Sequence, residues 1–261
     1  MRRGHKSLIL GGGIALCLIA GGVGFATAPT VTKQGVNYRV SKRAIPRYVK
    51  AIDFLHRHEQ YTLLASEITK NLSTDRERVL AVFEWTRQHI QKTPADWPVV
   101  DDHIWHIIVR GHGLDDQMAD VFTTLTTYAG VPAFWRGLRP EGTTGGVVLS
   151  FAWVDQRWRA FDVARGLIFR DANGELASVE ELAAQPELVA ATAGDLRPGG
   201  LAYHAYVAAV VPLEIPDPLR AELQMPGVRL WHETRRALGL VKQQEVPLFV
   251  TLATGSSQSD N

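Results

Sequence analysis

Six residues that could bind a metal ion or accept a proton lie close together in the middle of the sequence. They fall within fifteen consecutive positions and are Asp102, His103, His106, His112, Asp115 and Asp116. Imidazole nitrogens and carboxylate oxygens bind zinc and other divalent ions, and the spacing of His103 and His106 suits one helix face. One hypothesis is therefore a hydrolase with metal- or carboxylate-dependent chemistry around His103, His106, His112 and Asp115.

The acidic pair in this cluster also has a structural interpretation. Asp115 and Asp116 open the segment DDQMADVFTTLTTYAGVP, whose apolar spacing predicts a helix that ends before Gly-Val-Pro. The N–H groups and dipole of a helix N-terminus stabilise a carboxylate, which makes it a good cap and a poor base. No His-Glu-x-x-His motif is present. We therefore expect Asp115 or Asp116 to cap this helix and expect no cofactor, with a divalent metal as the alternative.

The elements around this helix predict an α+β fold. The segment TDRERVLAVFEWTRQHI has helical periodicity, and Ser73 or Thr74 together with Glu77 can form a capping box at its start. After Pro132 the period changes to that of strands in AFWRGLR, GGVVLSFAWVD and RWRAFDVARG. We expect these strands to form an antiparallel sheet with one face packed on the preceding helices.

The N-terminal part of the chain differs from the rest in charge and hydropathy. Residues 1–50 hold nine Lys/Arg and no acidic residue, whereas residues 51–261 hold 19 basic and 27 acidic residues, a net charge of −8. No charged residue lies between Lys6 and Lys33, so residues 1–28 predict a signal anchor or transmembrane helix. A cleaved signal after Ala28 is the alternative. Residues 29–50 are interpreted as a basic juxtamembrane linker.

Three segments, in this order, resemble the core of the transglutaminase-like superfamily, which has a papain-type fold. They are TDRERVLAVFEWTRQHI, GHGLDDQMADVFTTLTTYAGVPAFW and GGVVLSFAWVDQRWRAFDV. In that family the nucleophile's helix follows Gly-x-Cys-x-Asp-x-Ala and leads to Ala-Gly-Ile-Pro-Ala. A strand beginning His-Ala-Trp then precedes one of the type Asp-Gly-Lys-Trp-x-x-x-Asp. Gly113, Ala119 and residues 129–133 fall on matching positions.

The resemblance implies that the catalytic residues of the family are mostly replaced. The cysteine position is Asp115, and the histidine position is Val147, or Phe151 if the Trp of Phe-Ala-Trp is aligned instead. Only the aspartate that orients the imidazole has a counterpart, Asp162. The sole cysteine, Cys17, lies in the apolar N-terminal run. A thiolate and its activating base are both missing from these positions, which argues against thiol acyl transfer.

The domain boundaries follow from these segments. Residues 51–185 are predicted to form the transglutaminase-like core, residues 186–250 a C-terminal extension packed on it, and residues 251–261 a disordered tail. The core is expected to lie outside the cytoplasm in a single-pass membrane protein.

The leading functional hypothesis is a pseudoenzyme of the cell envelope that binds a polysaccharide, a peptide or an envelope protein. A remnant cleft floored by Asp115 and Asp162 would carry the ligand, with walls formed by Trp105, Trp135 and Trp153. The membrane is an expected partner and nucleic acid is not, since the formal net charge is only +1. A structural spacer is the third interpretation.

Overall fold

The computed structural model describes residues 21–101, 103–143, 145–240 and 246–252. These residues divide into two compact units. The smaller unit runs to Arg57 and includes Val100 and Asp101, and the larger unit takes His58–Val99 and the described residues from His103 onward. Most of the predicted anchor and of the predicted tail, together with Asp102, lies outside the described residues.

None of the helices in the described ranges combines the length and the apolar character needed to cross a bilayer.

The smaller unit contains a β-hairpin within the segment predicted to be a basic linker. Residues 21–27 are helical (α1), and β1 (Pro29–Val36) pairs antiparallel with β2 (Arg39–Pro46). Asn37 and Tyr38 have positive φ angles, which suit the tight turn between strands with right-handed twist. The helix α2 (Arg47–Ile68) follows directly. Residues 29–46 of the predicted basic linker are therefore paired as two strands, and their role as a juxtamembrane linker stays a prediction.

The larger unit carries the remaining elements. The helices are α3 (Asp75–His89), α4 (Ile104–Arg110), α5 (Asp115–Tyr128), α6 (Val179–Ala184), α7 (Pro186–Ala193), α8 (Tyr203–Ala208) and α9 (Pro226–Ala237). The strands are β3 (Gln91–Lys92), β5 (His112–Gly113), β6 (Ala133–Pro140), β7 (Val147–Val154), β8 (Arg157–Asp162), β9 (Leu167–Ile168) and β10 (Phe249–Leu252), while β4 (Val100–Asp101) pairs with β1 in the smaller unit. The α+β class is thus confirmed.

The central sheet has the order β10-β6-β7-β8-β9. Strands β6 to β9 are antiparallel neighbours, of which the sequence predicted β6 to β8, and β10 lies parallel to β6. The turn between β7 and β8 consists of Asp155 and Gln156, both with positive φ. Strand β10 crosses the boundary predicted at residue 250, so Thr251 and Leu252 are ordered by backbone pairing rather than part of a frayed tail.

Both faces of this sheet are covered, not only the one predicted. On one face, Phe161 of β8 contacts Phe83 of α3 and Phe122 of α5, with ring centroids 5.7 and 5.4 Å away. On the other face, Leu149 and Phe151 of β7 lie in a second buried cluster with Leu182, Val189 and Tyr206 from α6, α7 and α8. Because side chains alternate along a strand, fully buried runs such as VVLSFA need cover on both sides.

Two capping boxes support these helices. The Thr74 side chain accepts the Glu77 N–H, and the Glu77 carboxylate accepts the Thr74 N–H, which confirms the predicted start of α3. Ser178 and Glu181 make the same reciprocal contacts at the start of α6.

Candidate functional site

The Asp115 carboxylate, at the first turn of α5, lies between two cations. Its Oδ1 is 3.0 Å from Lys92 Nζ, and its Oδ2 is 3.6 Å from Arg165 Nη1. Lys92 reaches this position because β3 pairs in parallel with β5, directly before the helix. The Asp115 side chain therefore forms ion pairs at a helix N-terminus, where the helix dipole also favours its negative charge.

The predicted capping role of Asp115 is wrong. Leu114 is the N-cap residue of α5, and its N–H donates to Gln117 Oε1 at 3.1 Å. Asp116 does serve the helix N-terminus, since its Oδ1 accepts the Gln117 N–H at 3.0 Å. The Gln117 side chain accepts the N–H of the N-cap residue, Leu114. The Asp115 carboxylate instead contacts Lys92 and Arg165.

Asp162, at the end of β8, is fully buried. Its Oδ2 accepts the Tyr203 hydroxyl at 2.6 Å and Arg165 Nη1 at 2.8 Å, and its Oδ1 accepts the Arg165 N–H at 2.9 Å. A tight turn produces this geometry: the Gly166 N–H donates to Val163 O, and Gly166 has a φ of +73° that glycine adopts readily. The turn folds Arg165 back over the aspartate that precedes it.

Arg165 connects the two carboxylates to the start of β7. Its Nη1 contacts both aspartates, and its Nη2 donates to Gly146 O at 2.9 Å. Gly146 precedes Val147, which the resemblance aligned with the histidine of the family. The Val147 side chain itself is buried in the apolar cluster and takes no part in this network. A guanidinium thus lies beside the aspartates at the aligned cysteine and aspartate positions.

The protonation states of this network follow from burial and charge. Burial raises the pKa of the Tyr203 hydroxyl well above its usual value, and the neighbouring Asp162 raises it further. Burial alone would lower the pKa of Arg165, but the charge and hydrogen bond of Asp162, helped by Asp115, raise it overall. Tyr203 therefore stays protonated and Arg165 stays cationic at neutral pH. Neither can accept the proton of a nucleophile under those conditions.

The histidines do not assemble with Asp115 into a metal site. His103 and His106 have ring centroids 5.8 Å apart, whereas His112 lies with Nδ1 at 3.2 Å from Thr93 Oγ1 and its ring edge-on to Trp97. Burial, and then the charge of Arg110, lower the pKa of His112. Within the described ranges, no group of three or more His, Cys, Asp or Glu side chains could hold a metal ion. The site proposed on His103, His106, His112 and Asp115 is therefore not formed.

Two of the three tryptophans expected in the remnant cleft are used for packing. Trp105 is half-buried against the helical core and contacts Tyr61 edge-on, with ring centroids 6.0 Å apart. Trp135 is buried, and its Nε1 donates to Asp120 Oδ1 at 2.7 Å. These contacts place them in the interior rather than beside Asp115 and Asp162, so the predicted aromatic-walled cleft is wrong in this form.

Trp153, in contrast, is exposed to 37% and lines an open cavity of about 430 Å³. Trp153 pairs directly across the sheet with Trp158, whose ring is held between Trp153 and Phe134 at centroid distances of 5.3 and 5.0 Å. The remaining lining residues come from the β7–β8 turn and from the start of α6. They are Gln156, Arg157, Ser178, Glu180 and Glu181.

Three residues of the charged site were not identified from the sequence. They are Lys92, Arg165 and Tyr203. Arg165 had a local signal, because Asp-x-x-Arg-Gly favours a turn in which the arginine returns to the aspartate. Lys92 and Tyr203 had none, since 23 and 41 residues separate them from Asp115 and Asp162.

A family model and several solved structures are similar to this chain. A family model described as the transglutaminase-like superfamily matches residues 62–163. The solved structures that are similar include a proposed cysteine protease from Cytophaga hutchinsonii, with 16% identity and a TM-score of 0.36 over 45% of this chain and 40% of that one. A proposed protease from Parabacteroides distasonis ATCC 8503 has 10% identity and a TM-score of 0.33, over 52% of this chain and 36% of the other.

A third solved structure, described as a TGase, has 11% identity and a TM-score of 0.32, over 56% of this chain and 46% of that one. The protein therefore covers less than half of each of these three structures. The comparison with curated proteins gave no match. The match over residues 62–163 contains α3, α5 and strands β6 to β8. These elements are the part of the chain that matches the model of the transglutaminase-like superfamily.

Proposed function

We propose that this protein is a membrane-anchored, catalytically degenerate transglutaminase-like protein that serves as a binding or scaffold module of the cell envelope. The observation that carries the proposal is the bridge formed by Arg165, which contacts Asp115 at 3.6 Å and Asp162 at 2.8 Å. Anchoring is supported by the uncharged stretch between Lys6 and Lys33.

The bridge leaves no group for nucleophilic catalysis by the route of the family. That route needs a thiolate and a base that takes its proton. Here a carboxylate stands at the aligned cysteine position, the adjacent cation is a guanidinium that does not release its proton at neutral pH, and the sole cysteine is Cys17. The charges of Asp115, Asp162 and Arg165 instead stabilise one another, so these residues contribute to the stability of the fold.

The cavity at Trp153 is the best candidate for ligand binding. A partly exposed indole offers a flat apolar face to a sugar ring or an apolar side chain. Gln156 and Glu180 lie at the same cavity, and across the described part of the chain their side chains form no hydrogen bond or ion pair. Gln156 also has a positive φ angle, which glycine would adopt at lower cost. A side chain at this position is consistent with a role in contacting a ligand. A saccharide or a polar peptide would suit this lining.

The test is affinity capture of the full chain from its native membrane, followed by analysis of retained glycans, peptides and proteins. We expect Trp153→Ala to lose the retained ligand, whereas Trp97→Ala should keep it, because Trp97 is exposed to 51% but lies outside the cavity. Equal retention by both variants would support the structural spacer.

Two further measurements address chemistry and topology. Hydrolysis of peptide or ester substrates that Asp115→Asn or a chelator abolishes would support the hydrolase and contradict the proposal. A compartment-sensitive reporter fused after residue 261 should report an extracytoplasmic location, and a cytoplasmic signal would contradict it.

A further inference from the structure

Helix α9 presents an apolar stripe that the rest of the described structure does not cover. No residue of α9 is buried. Leu230, Trp231 and Leu238 are exposed to 71%, 64% and 67%, and their spacing of one and eight residues places them on one face. Leu240, just after the helix, is exposed to 64%. Large apolar side chains exposed together on one helix indicate an interaction surface.

The polar side of α9 is basic, although the protein body is acidic. Residues 226–240 contain three arginines and one glutamate, a net charge of +2, whereas residues 51–261 together carry −8. Arg229 pairs with Glu233 at 3.0 Å. Arg235 lies one turn after Trp231, at the border of the stripe, and forms no ion pair with any residue in the described ranges. The charge of this helix is therefore complementary to an anionic surface.

We infer that α9 lies in the interface of an anionic bilayer, with Leu230, Trp231 and Leu238 inserted among the lipids and Arg235 at the headgroups. This pattern, with tryptophan and leucine on one face and arginine at its border, is that of helices that bind in the membrane plane. The inference rests on the proposed membrane anchoring, which keeps a bilayer within reach of the helix. The anchor and α9 would then be two separate attachments, and two attachments hold a domain at a membrane more firmly than one.

A bilayer fits the stripe better than a folded partner does. The apolar contact consists of a few side chains along one line, without a concave pocket or a paired strand edge among the residues that line it. A lipid surface needs no complementary shape, and anionic headgroups attract each nearby arginine. No residue of α9 is buried in the protein, so substitutions on the stripe should not disturb the packing of the fold.

The experiment uses the full chain reconstituted in lipid nanodiscs of phosphatidylcholine alone or with phosphatidylglycerol. Because Cys17 is the sole cysteine, Cys17→Ser permits a single nitroxide at Leu238→Cys, on the stripe, or at His232→Cys, on the opposite face of the same helix. Electron paramagnetic resonance then compares collisions of each label with oxygen and with a water-soluble nickel chelate. In anionic discs we expect oxygen to dominate at position 238 and the nickel chelate at position 232. Arg235→Glu should shift position 238 toward the nickel chelate.

Each other outcome contradicts a defined part of the inference. A label at position 238 that stays accessible to the nickel chelate in anionic discs would overturn it, as would equal insertion in both lipid compositions. Shielding of position 238 from both reagents would indicate a protein contact and overturn it too. A chain that fails to integrate into discs at all would contradict the proposed anchoring, whereas an integrated chain with a solvent-exposed α9 would contradict only this inference.

Discussion

The Arg165 guanidinium donates to the buried carboxylate of Asp162, and the distance from Nη1 to Oδ2 is 2.8 Å. Asp162 lies three residues before Arg165 in the chain. The same side chain contacts Asp115 at 3.6 Å and the Gly146 carbonyl at 2.9 Å. Arg165 therefore contacts the end of β8, the start of α5 and the start of β7. The ion pairs of Arg165 therefore stabilise the junction of these three elements.

Removal of Arg165 is expected to destabilise the fold strongly. Arg165→Gln leaves the fully buried Asp162 carboxylate without its counter-ion, and breaking a buried pair in this way costs about 3–5 kcal/mol. The measurement is urea-induced unfolding at pH 7. The matched control is the double variant Asp162→Asn with Arg165→Gln, which removes both charges and should unfold at a higher urea concentration than Arg165→Gln alone. Additive losses in the double variant would contradict the coupling.

Tyr203→Phe tests the hydroxyl that reaches the same carboxylate. Loss of a buried hydrogen bond to a charged group should lower the free energy of unfolding by about 1.5–3 kcal/mol. Tyr206→Phe, on the same helix, removes a bond to the Pro198 carbonyl and should cost less, about 0.5–1.5 kcal/mol. Equal losses at both positions would show that the charge of Asp162 is not important for Tyr203.

The raised pKa of Tyr203 also predicts a dependence on alkaline pH. The folded state holds this proton more tightly than the unfolded chain, so its contribution to stability is complete below about pH 10 and is lost as the pH rises above that value. Unfolding measured between neutral pH and pH 11 should therefore show a steeper loss of stability in the natural chain than in Tyr203→Phe. If stability fell equally with pH in the two proteins, the raised pKa of Tyr203 would be contradicted.

A cysteine introduced at Asp115 should be reactive without becoming catalytic. The helix N-terminus, Lys92 and Arg165 all favour a thiolate. Asp115→Cys in a Cys17→Ser background should therefore react with iodoacetamide about tenfold faster at pH 7 than an exposed control, Thr62→Cys. Hydrolysis of esters or amides should stay at background, because Arg165 and Tyr203 supply no base at neutral pH. Turnover that follows thiolate formation would contradict the degenerate assignment.

Asp120 is a second buried aspartate, and we expect it to behave differently from Asp162. Burial raises the pKa of Asp120, although Arg220 and the Trp135 N–H oppose the shift. Asp120→Asn keeps an acceptor for Trp135, so the free energy of unfolding at pH 7 should change by no more than about 1 kcal/mol. Asp162→Asn should cost more, since its carboxylate accepts two charge-assisted bonds from Arg165 and Tyr203.

The sign of the pH dependence gives a further check on Asp120. A carboxyl whose folded pKa is raised contributes stability at low pH, and this contribution is lost as the pH rises from about 3.9 through the folded pKa. The natural chain should therefore gain less stability between pH 3 and pH 6 than Asp120→Asn does. An identical gain in both proteins would contradict the shift.

Local patterns in the sequence predicted much of the fold correctly. The capping box of Thr74 and Glu77, the α5 segment that ends before Gly130-Val131-Pro132, and the strand pair joined at Asp155 and Gln156 all depend on residues close together in the chain. Periodicity and turn chemistry act over these short distances, so they can be interpreted without coordinates. Strands β1, β2 and β10 were not predicted, because they pair through the backbone and leave little trace in the side-chain pattern.

The sequence by itself determined that no cysteine follows Cys17, and its resemblance to the transglutaminase-like core predicted that Asp115 and Asp162 stand at two catalytic positions of that family. Only the tertiary structure decided that Arg165, Lys92 and Tyr203 surround these carboxylates, that the histidines separate, and that Trp105 and Trp135 pack inward while Trp153 faces a cavity. The physical reason is that ion pairs and burial depend on distances between side chains from separate elements. Those distances are fixed by sheet register and by packing on both sheet faces, which residue spacing along the chain does not encode.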